Sequence, residues 1–199
     1  MSEAKKLKQP TNRSSGSSRR RARQEDVASV IRWDVMDSPL GPLYLAASDQ
    51  GICHVDFGVG LDDFLARLDP TARVERDPAA LAPVVAQLRE YFAGARLQFE
   101  VPIDLRQLTA FQRRVLEATC AIPAGAVRSY RQVAEAIGKP QASHAVGQAL
   151  ARNPVPILIP CHRVIASDGS LGGYGGGLAH KRLLLDLEGA RVADVAKIG

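Results

Sequence analysis

Residues 153–164 read NPVPILIPCHRV. Pro156 and Pro160 bracket a short apolar run, Ile157-Leu158-Ile159, which then delivers Cys161, His162 and Arg163 in direct succession. A buried extended run normally ends in turn residues; this one ends in a nucleophile beside its possible base. A thiol attacks only as the thiolate, and with an ordinary pKa of about 8.5 it is mostly protonated at neutral pH. Activation therefore needs a base, a cation or a helix N-terminus. Adjacent residues on an extended chain point to opposite faces, so contact between Cys161 and His162 requires a turn or a bridging water. A histidine base also needs an acceptor to fix its tautomer. Downstream, HKRLLLDLEGA (residues 180–190) offers Asp186 and Glu188. Glu188 falls at the C-terminal end of that helical pattern beside Gly189, where the helix dipole disfavours an anion, so something specific must compensate it. Taken alone, Cys161 reads equally well as a buried core cysteine.

Outward from this stretch, the second half of the chain is helical. Thr109 is a good N-cap for AFQRRVLEATCAI, in which Phe111, Val115, Leu116 and Cys120 recur at helical spacing. PAGAV breaks that pattern. A short helix over 131–138, capped by Ser129 and ended by Gly138, is followed after KPQ by a third over 142–153. The last is rich in Ala and Gly. Two short helices joined by a turn suggest a helix-turn-helix, and small residues let the second helix approach another backbone closely. A plain helical hairpin is the blander reading.

Charge supports the first. Residues 110–199 hold eleven Lys/Arg against six acids, residues 25–109 seven against fourteen, and residues 1–24 eight against one. A basic half-domain is the electrostatic footprint of a polyanion. Residues 1–26, with NRSSGSSRRRAR inside them, lack apolar periodicity and read as a disordered basic arm. The arm either adds phosphate affinity that weakens with salt or is a dispensable tail.

The first half reads differently. ASVIRWDVM, GPLYLAAS and GICHVDFG are strand-like and separated by SPLG and DQG, an antiparallel meander. FLARL (64–68) begins a helix, LAPVVAQLREYFAG (81–94) is an amphipathic helix closed by Gly94, and LQFEVPIDL returns to extended structure as a linker. Nothing in residues 28–105 looks catalytic. The chain is 46% apolar, and no apolar stretch approaches the ~20 residues a membrane span requires. The N-terminus lacks the hydrophobic centre of a secretory signal. Cys53, Cys120 and Cys161 cannot all pair, and their spacing fits no zinc motif, so free thiols in a reducing cytoplasm are expected. Cys53 and Cys120 look like core filler.

NPVPILIPCHRV, followed by SDGSLGGYGGG and LAHKRLLLDLEGA, closely resembles the active-site region of the O6-alkylguanine-DNA alkyltransferases, also called methylated-DNA–protein-cysteine methyltransferases. The resemblance is strong over 109–190 and weaker over 28–105, and it does not cover the arm. It implies an α+β fold. A small N-terminal antiparallel-sheet, ribonuclease-H-like subdomain (27–105) would precede a mainly helical, winged helix-turn-helix-like catalytic and DNA-binding domain (106–191), with a tail at 192–199. The implied partner is double-stranded DNA containing O6-alkylguanine, with no cofactor, no metal and no membrane, and the chain is expected to be a monomer.

The resemblance also implies roles. Cys161 would accept the alkyl group; His162 would act as base through a water, oriented by Glu188; and Asn153 would buttress the turn holding the nucleophile. Tyr130 would help rotate the base outward and supply a proton. Val164, Pro156, Tyr174, Gly175 and Gly176 would wall the pocket. Pro156, Gly172 and Gly176 match small or rigid positions, so room for benzyl-sized groups is expected. His144, Ala145, Gly147, Arg131, Arg152 and Arg163 form the expected DNA-facing set. Arg163 has a second reading, a structural tie between the recognition region and the active-site turn. His144 departs from the family, which usually places an inserted arginine there, and weaker base extrusion follows. The competing functions are a damage-binding protein of the same fold without chemistry and a turnover cysteine hydrolase.

Overall fold

The SPLG turn sets the first register. In this computed structural model, which describes residues 29–190, strands β1 (Val30–Ser38) and β2 (Gly41–Ser48) pair antiparallel with Ser38 opposite Gly41. The Ser38 hydroxyl closes the turn, donating to the Gly41 carbonyl at 2.7 Å and accepting from the Leu40 N–H at 3.1 Å. Strand β3 (Gly51–Phe57) continues the meander, with a register shift at Ala46/Ala47. Residues 73–76, mostly polar and without an alternating pattern, form strand β4 (Arg73–Arg76), which joins β1 in parallel and gives the order β3-β2-β1-β4.

Period-two alternation divides the sheet between two apolar clusters. Leu43, Leu45, Val55 and Phe57 face the main core, where helix α2 (Pro78–Phe92) lays down Leu81, Val84, Leu88 and Tyr91. Ile31 and Ala46 face the other side, where helix α1 (Leu61–Ala66) inserts the fully buried Phe64 against Tyr44 and Trp33. Burying each such side chain contributes about 1.5–3 kcal/mol. Asp77 caps α2 by accepting from the Ala80 N–H, and a proline occupies the first helical position.

The C-terminal half begins at helix α3 (Ala110–Cys120). Thr109 forms a capping box with Gln112, and Ser129 repeats it with Gln132 at the start of helix α4 (Tyr130–Ala136). Helix α5 (Ser143–Ala151) packs on α3 and α4, completing the expected helix-turn-helix. Strand β5 (Arg128–Ser129) pairs in parallel with β6 (Val164–Ile165), and helix α6 (Leu178–Leu187) closes the fold. Cys120 corrects its core assignment. The buried face of α3 is Val115, Leu116 and Thr119, which leaves Cys120 exposed at the last residue of the helix.

The two halves share one continuous core. They also meet at the free edge of β3. Ile52 exchanges backbone hydrogen bonds with the 102–104 segment, and the Val55 N–H donates to the Pro154 carbonyl at 2.8 Å. An open sheet edge is thereby used to hold the segment that leads to Cys161. The expected arm (1–26) and tail (192–199) lie outside the described residues. Among the described residues no helix is long and apolar enough to cross a membrane.

Candidate active site around Cys161

The run before Cys161 is not a regular strand. Ile157 adopts φ of 75°, a left-handed conformation costly for a β-branched residue, and Pro156 and Ile159 form only an isolated bridge. Asn153 over-determines this turn. Its amide nitrogen donates to the Ile159 carbonyl at 3.0 Å and to the Cys161 sulfur at 3.2 Å, while its oxygen accepts from the Val155 N–H at 3.1 Å. Strain of this kind persists only where the surroundings impose it, and it clusters at functional sites. Pro160 then fixes the last step. With φ of −81° and ψ of 61° it is the centre of an inverse γ-turn, closed by the Cys161 N–H donating to the Ile159 carbonyl at 2.8 Å.

Cys161, His162 and Arg163 follow as one 3-10 turn, all buried. The tight turn is the departure from extended backbone that a cooperating Cys-His pair requires. Among the described residues the hydrogen-bond donor to Sγ is Asn153, not His162. The His162 ring is fully buried, with Nε2 2.9 Å from Glu188 Oε1 and Nδ1 without a hydrogen-bond partner among the described residues. Because Glu188 can only accept, Nε2 carries the proton and Nδ1 presents its lone pair. Burial pushes the His162 pKa down, against the opposing pull of Glu188. Burial pushes the Cys161 thiol up, opposed by the Asn153 donor and the Lys181 charge. The resting pair is thus a neutral thiol beside a neutral imidazole.

Glu188 is the C-cap of α6, and the compensation its position demands is present. Arg163 donates through Nε to Oε2 at 2.7 Å and through Nη2 to Oε1 at 2.8 Å, and its Nη1 donates to the Ile122 carbonyl at 2.6 Å. Burial raises the Glu188 carboxyl, but the hydrogen bonds from His162 and Arg163 outweigh it and hold the group at about 2. Asp186, the other carboxylate offered by the sequence, is exposed. Arg163 requires a correction. It is 5% exposed and committed to Glu188 and Ile122, so its fork is closed to DNA phosphates and the structural tie is its role.

A cleft of about 640 Å³ opens over the thiol, lined by Tyr130, His144, Gly147, Cys161, Tyr174 and Gly175 among others. A second, of about 400 Å³, meets it at Cys161, Tyr174 and Gly175 and adds Pro156, Gly176 and Arg152. Val164 lines neither. Its side chain is fully buried, its N–H donates to the Cys161 carbonyl, and its own carbonyl accepts from Lys181 Nζ at 2.6 Å. His144 and Arg131 are exposed on α5 and α4, Arg131 paired with Glu135 at 3.0 Å; Arg152 is exposed and Ala145 half-buried. The Tyr130 hydroxyl donates to the Gly173 carbonyl at 3.2 Å. Packing also holds Gly172 and Gly176 small. A Cβ at Gly176 would stand 2.4 Å from the Phe57 ring, and one at Gly172 3.0 Å from Tyr130.

Sequence reasoning missed two buried polar side chains here. Lys181, wholly inaccessible, bonds the Val164 and Leu171 carbonyls from α6, and burial lowers its pKa to about 8. Tyr91 donates to Glu188 Oε1 at 2.8 Å from the N-terminal half. In the sequence it falls within the amphipathic helix read over 81–94.

Comparison with known proteins follows the same division of the chain. Residues 31–105 match the ribonuclease-like domain, and residues 110–190 the DNA binding domain, of 6-O-methylguanine DNA methyltransferase. A methylated-DNA–protein-cysteine methyltransferase of Mycobacterium tuberculosis is 43% identical over 167 residues, 81% of this chain and 94% of that one. One from Methanosarcina barkeri is 42% identical over 156 residues, 78% and 96% of the respective chains. The crystal structure of Mycobacterium tuberculosis OGT in complex with DNA superposes with a TM-score of 0.70 at 42% identity, covering 80% of this chain and 92% of that one. With both halves matched and these relatives aligned over nearly their full length, the chain belongs to the 6-O-methylguanine DNA methyltransferase family.

Proposed function

We propose that this protein repairs DNA by direct reversal, moving an alkyl group from guanine O6 onto its own Cys161. The observation that carries the reading is the buried chain of contacts Asn153–Cys161 and His162–Glu188–Arg163 beneath a cleft open to the helix-turn-helix.

The alkyl group on O6 is inaccessible inside a stacked duplex, so the base must leave the stack. Extrusion costs a few kcal/mol and is cheapest for a badly paired, damaged base. Within the cleft, Nδ1 of His162 takes the thiol proton through a water, and Glu188 stabilises the resulting imidazolium. The sulfur then attacks the alkyl carbon in line: the S–C bond forms, the C–O6 bond breaks, and its electron pair passes to guanine. Tyr130 donates the proton that guanine needs, and the thiol proton replaces it, so thiol plus alkylguanine becomes thioether plus guanine. Water does not hydrolyse a thioether, and each chain therefore acts once. Cys161→Ser protein is expected to bind methylated duplex yet leave its lesions in place. Clearance at the wild-type rate would reject the reading. A binding protein without chemistry has no use for a thiol held in this way.

His144 is exposed on α5 and lines the cleft, which supports its filling the gap left by the extruded base. An imidazole is shorter than a guanidinium and stacks less broadly. His144→Arg is expected to tighten damaged-DNA binding by about two- to fivefold, the equivalent of about 0.5–1 kcal/mol of added cation–π contact. Fluorescence anisotropy on methylated duplex measures it, and an unchanged affinity removes position 144 from this role.

A further inference from the structure

Tyr91 is separated from Glu188 by 97 residues and belongs to the half of the chain that carries no reacting group, yet its hydroxyl lies 2.8 Å from Glu188 Oε1. The side chain is completely buried, its ring packed edge-on to Phe92 and against Phe99 at 5.3 Å. Burial, and then the Glu188 charge, keep its hydroxyl protonated, so it acts as a donor. Oε1 therefore collects three donors: Tyr91 Oη, His162 Nε2 at 2.9 Å and Arg163 Nη2 at 2.8 Å. This is the oxygen that orients the His162 ring.

We propose that Tyr91 is a positioning residue for alkyl transfer: its hydroxyl, delivered from helix α2, shares Glu188 Oε1 with His162 and so limits how strongly the carboxylate holds the imidazole proton. The inference rests on the transfer to Cys161 described above. A donor on a carboxylate oxygen withdraws charge from it, weakening the oxygen as an acceptor for its other partners. Without that donor the carboxylate charge concentrates on the His162 N–H, and the imidazolium becomes easier to form. Among the described residues, the other charges that act on His162 are Arg163 on the same turn and Lys181 from α6, and the Cys161 thiol precedes it in the chain. None of them depends on α2. The N-terminal subdomain thus tunes the base as well as supporting the fold.

Transfer needs His162 neutral, so its titration forms the acid limb of the rate profile. Tyr91→Phe keeps the ring and removes only the donor. In this variant the acid limb of the single-turnover transfer rate, and the His162 midpoint followed by NMR of 13C-labelled histidine, are expected to rise by about half to one pH unit. Replacing Tyr91 with 3-fluorotyrosine, a nearly isosteric and stronger donor, is expected to move both downward, and it decides the matter if the phenylalanine variant fails to fold. Midpoints within experimental error of wild type overturn the proposal. A wild type that transfers no alkyl group rejects the proposed function instead, while the His162 midpoint still decides the role of Tyr91.

Discussion

Replacing Arg163 with methionine is expected to lower stability by about 3–5 kcal/mol, because it strands a buried carboxylate rather than removing a surface charge. Glu188 is 7% exposed and receives two of its donors from this one guanidinium, and the Ile122 carbonyl would lose its partner as well. For a chain of this size the loss corresponds to about 6–20 °C in the midpoint of thermal unfolding. A DNA-contact role predicts the opposite pattern, unchanged melting with weakened binding, so calorimetry and anisotropy on one variant separate the two. The pair also gives stability a pH dependence. Glu188 titrates at about 2 in the fold against an ordinary 4.5, so its contribution is complete above about 4.5 and is lost as pH falls through about 2.

Glu188→Gln is expected to slow alkyl transfer by about 100- to 1,000-fold at neutral pH, the range over which a positioned acid–base group contributes. Glutamine keeps the shape but supplies no negative charge to an imidazolium that would otherwise form in a fully buried site. It also leaves Arg163 with a neutral partner, so some loss of stability accompanies the loss of rate. Single-turnover kinetics below the melting temperature isolate the first effect. A rate within a few-fold of wild type would remove His162 from the role of base, since among the described residues Glu188 is the carboxylate that contacts its ring.

The parts of this fold that were legible from sequence are those governed by local chemistry. Thr109 and Ser129 cap their helices because a short hydroxyl followed three residues later by glutamine satisfies both ends of a capping box. SPLG is a turn because its serine closes it with its own side chain. Glu188 was conspicuous because an anion at a helix C-terminus is unfavourable without partners, and two of the three residues that bond its carboxylate, His162 and Arg163, sit in the motif that singled out Cys161.

What was not legible depended on long-range placement. Strand β4 is four residues, three of them charged, and only its register against β1 makes it a strand. The apolar run 157–159 reads as extended, but Asn153 and three prolines fold it into a turn in which Ile157 takes a positive φ. Cys120 keeps helical spacing with Val115 and Leu116 yet falls beyond the buried face. Tyr91 has the signature of any core tyrosine, and nothing near it in sequence indicates that its hydroxyl would meet a carboxylate on α6.

The geometry around Cys161 favours a thiol that stays quiet until a substrate arrives. Burial favours the protonated thiol and the neutral imidazole; on the proposed function, the nucleophile is generated once the cleft is filled and the proton has a path to Nδ1. For the proposed one-event transfer this restraint is useful, because a free thiolate would be spent on stray oxidants and electrophiles.

In the proposed transfer the sulfur of Cys161 keeps the group it removes. The most direct measurement is the intact mass of the protein, with peptide mapping, after incubation with excess duplex carrying O6-methylguanine. A gain of one methylene per chain is expected, confined to the peptide containing Cys161, with lesions removed in a one-to-one ratio to protein. Lesions removed with no change in protein mass, or several removed per chain, would contradict it.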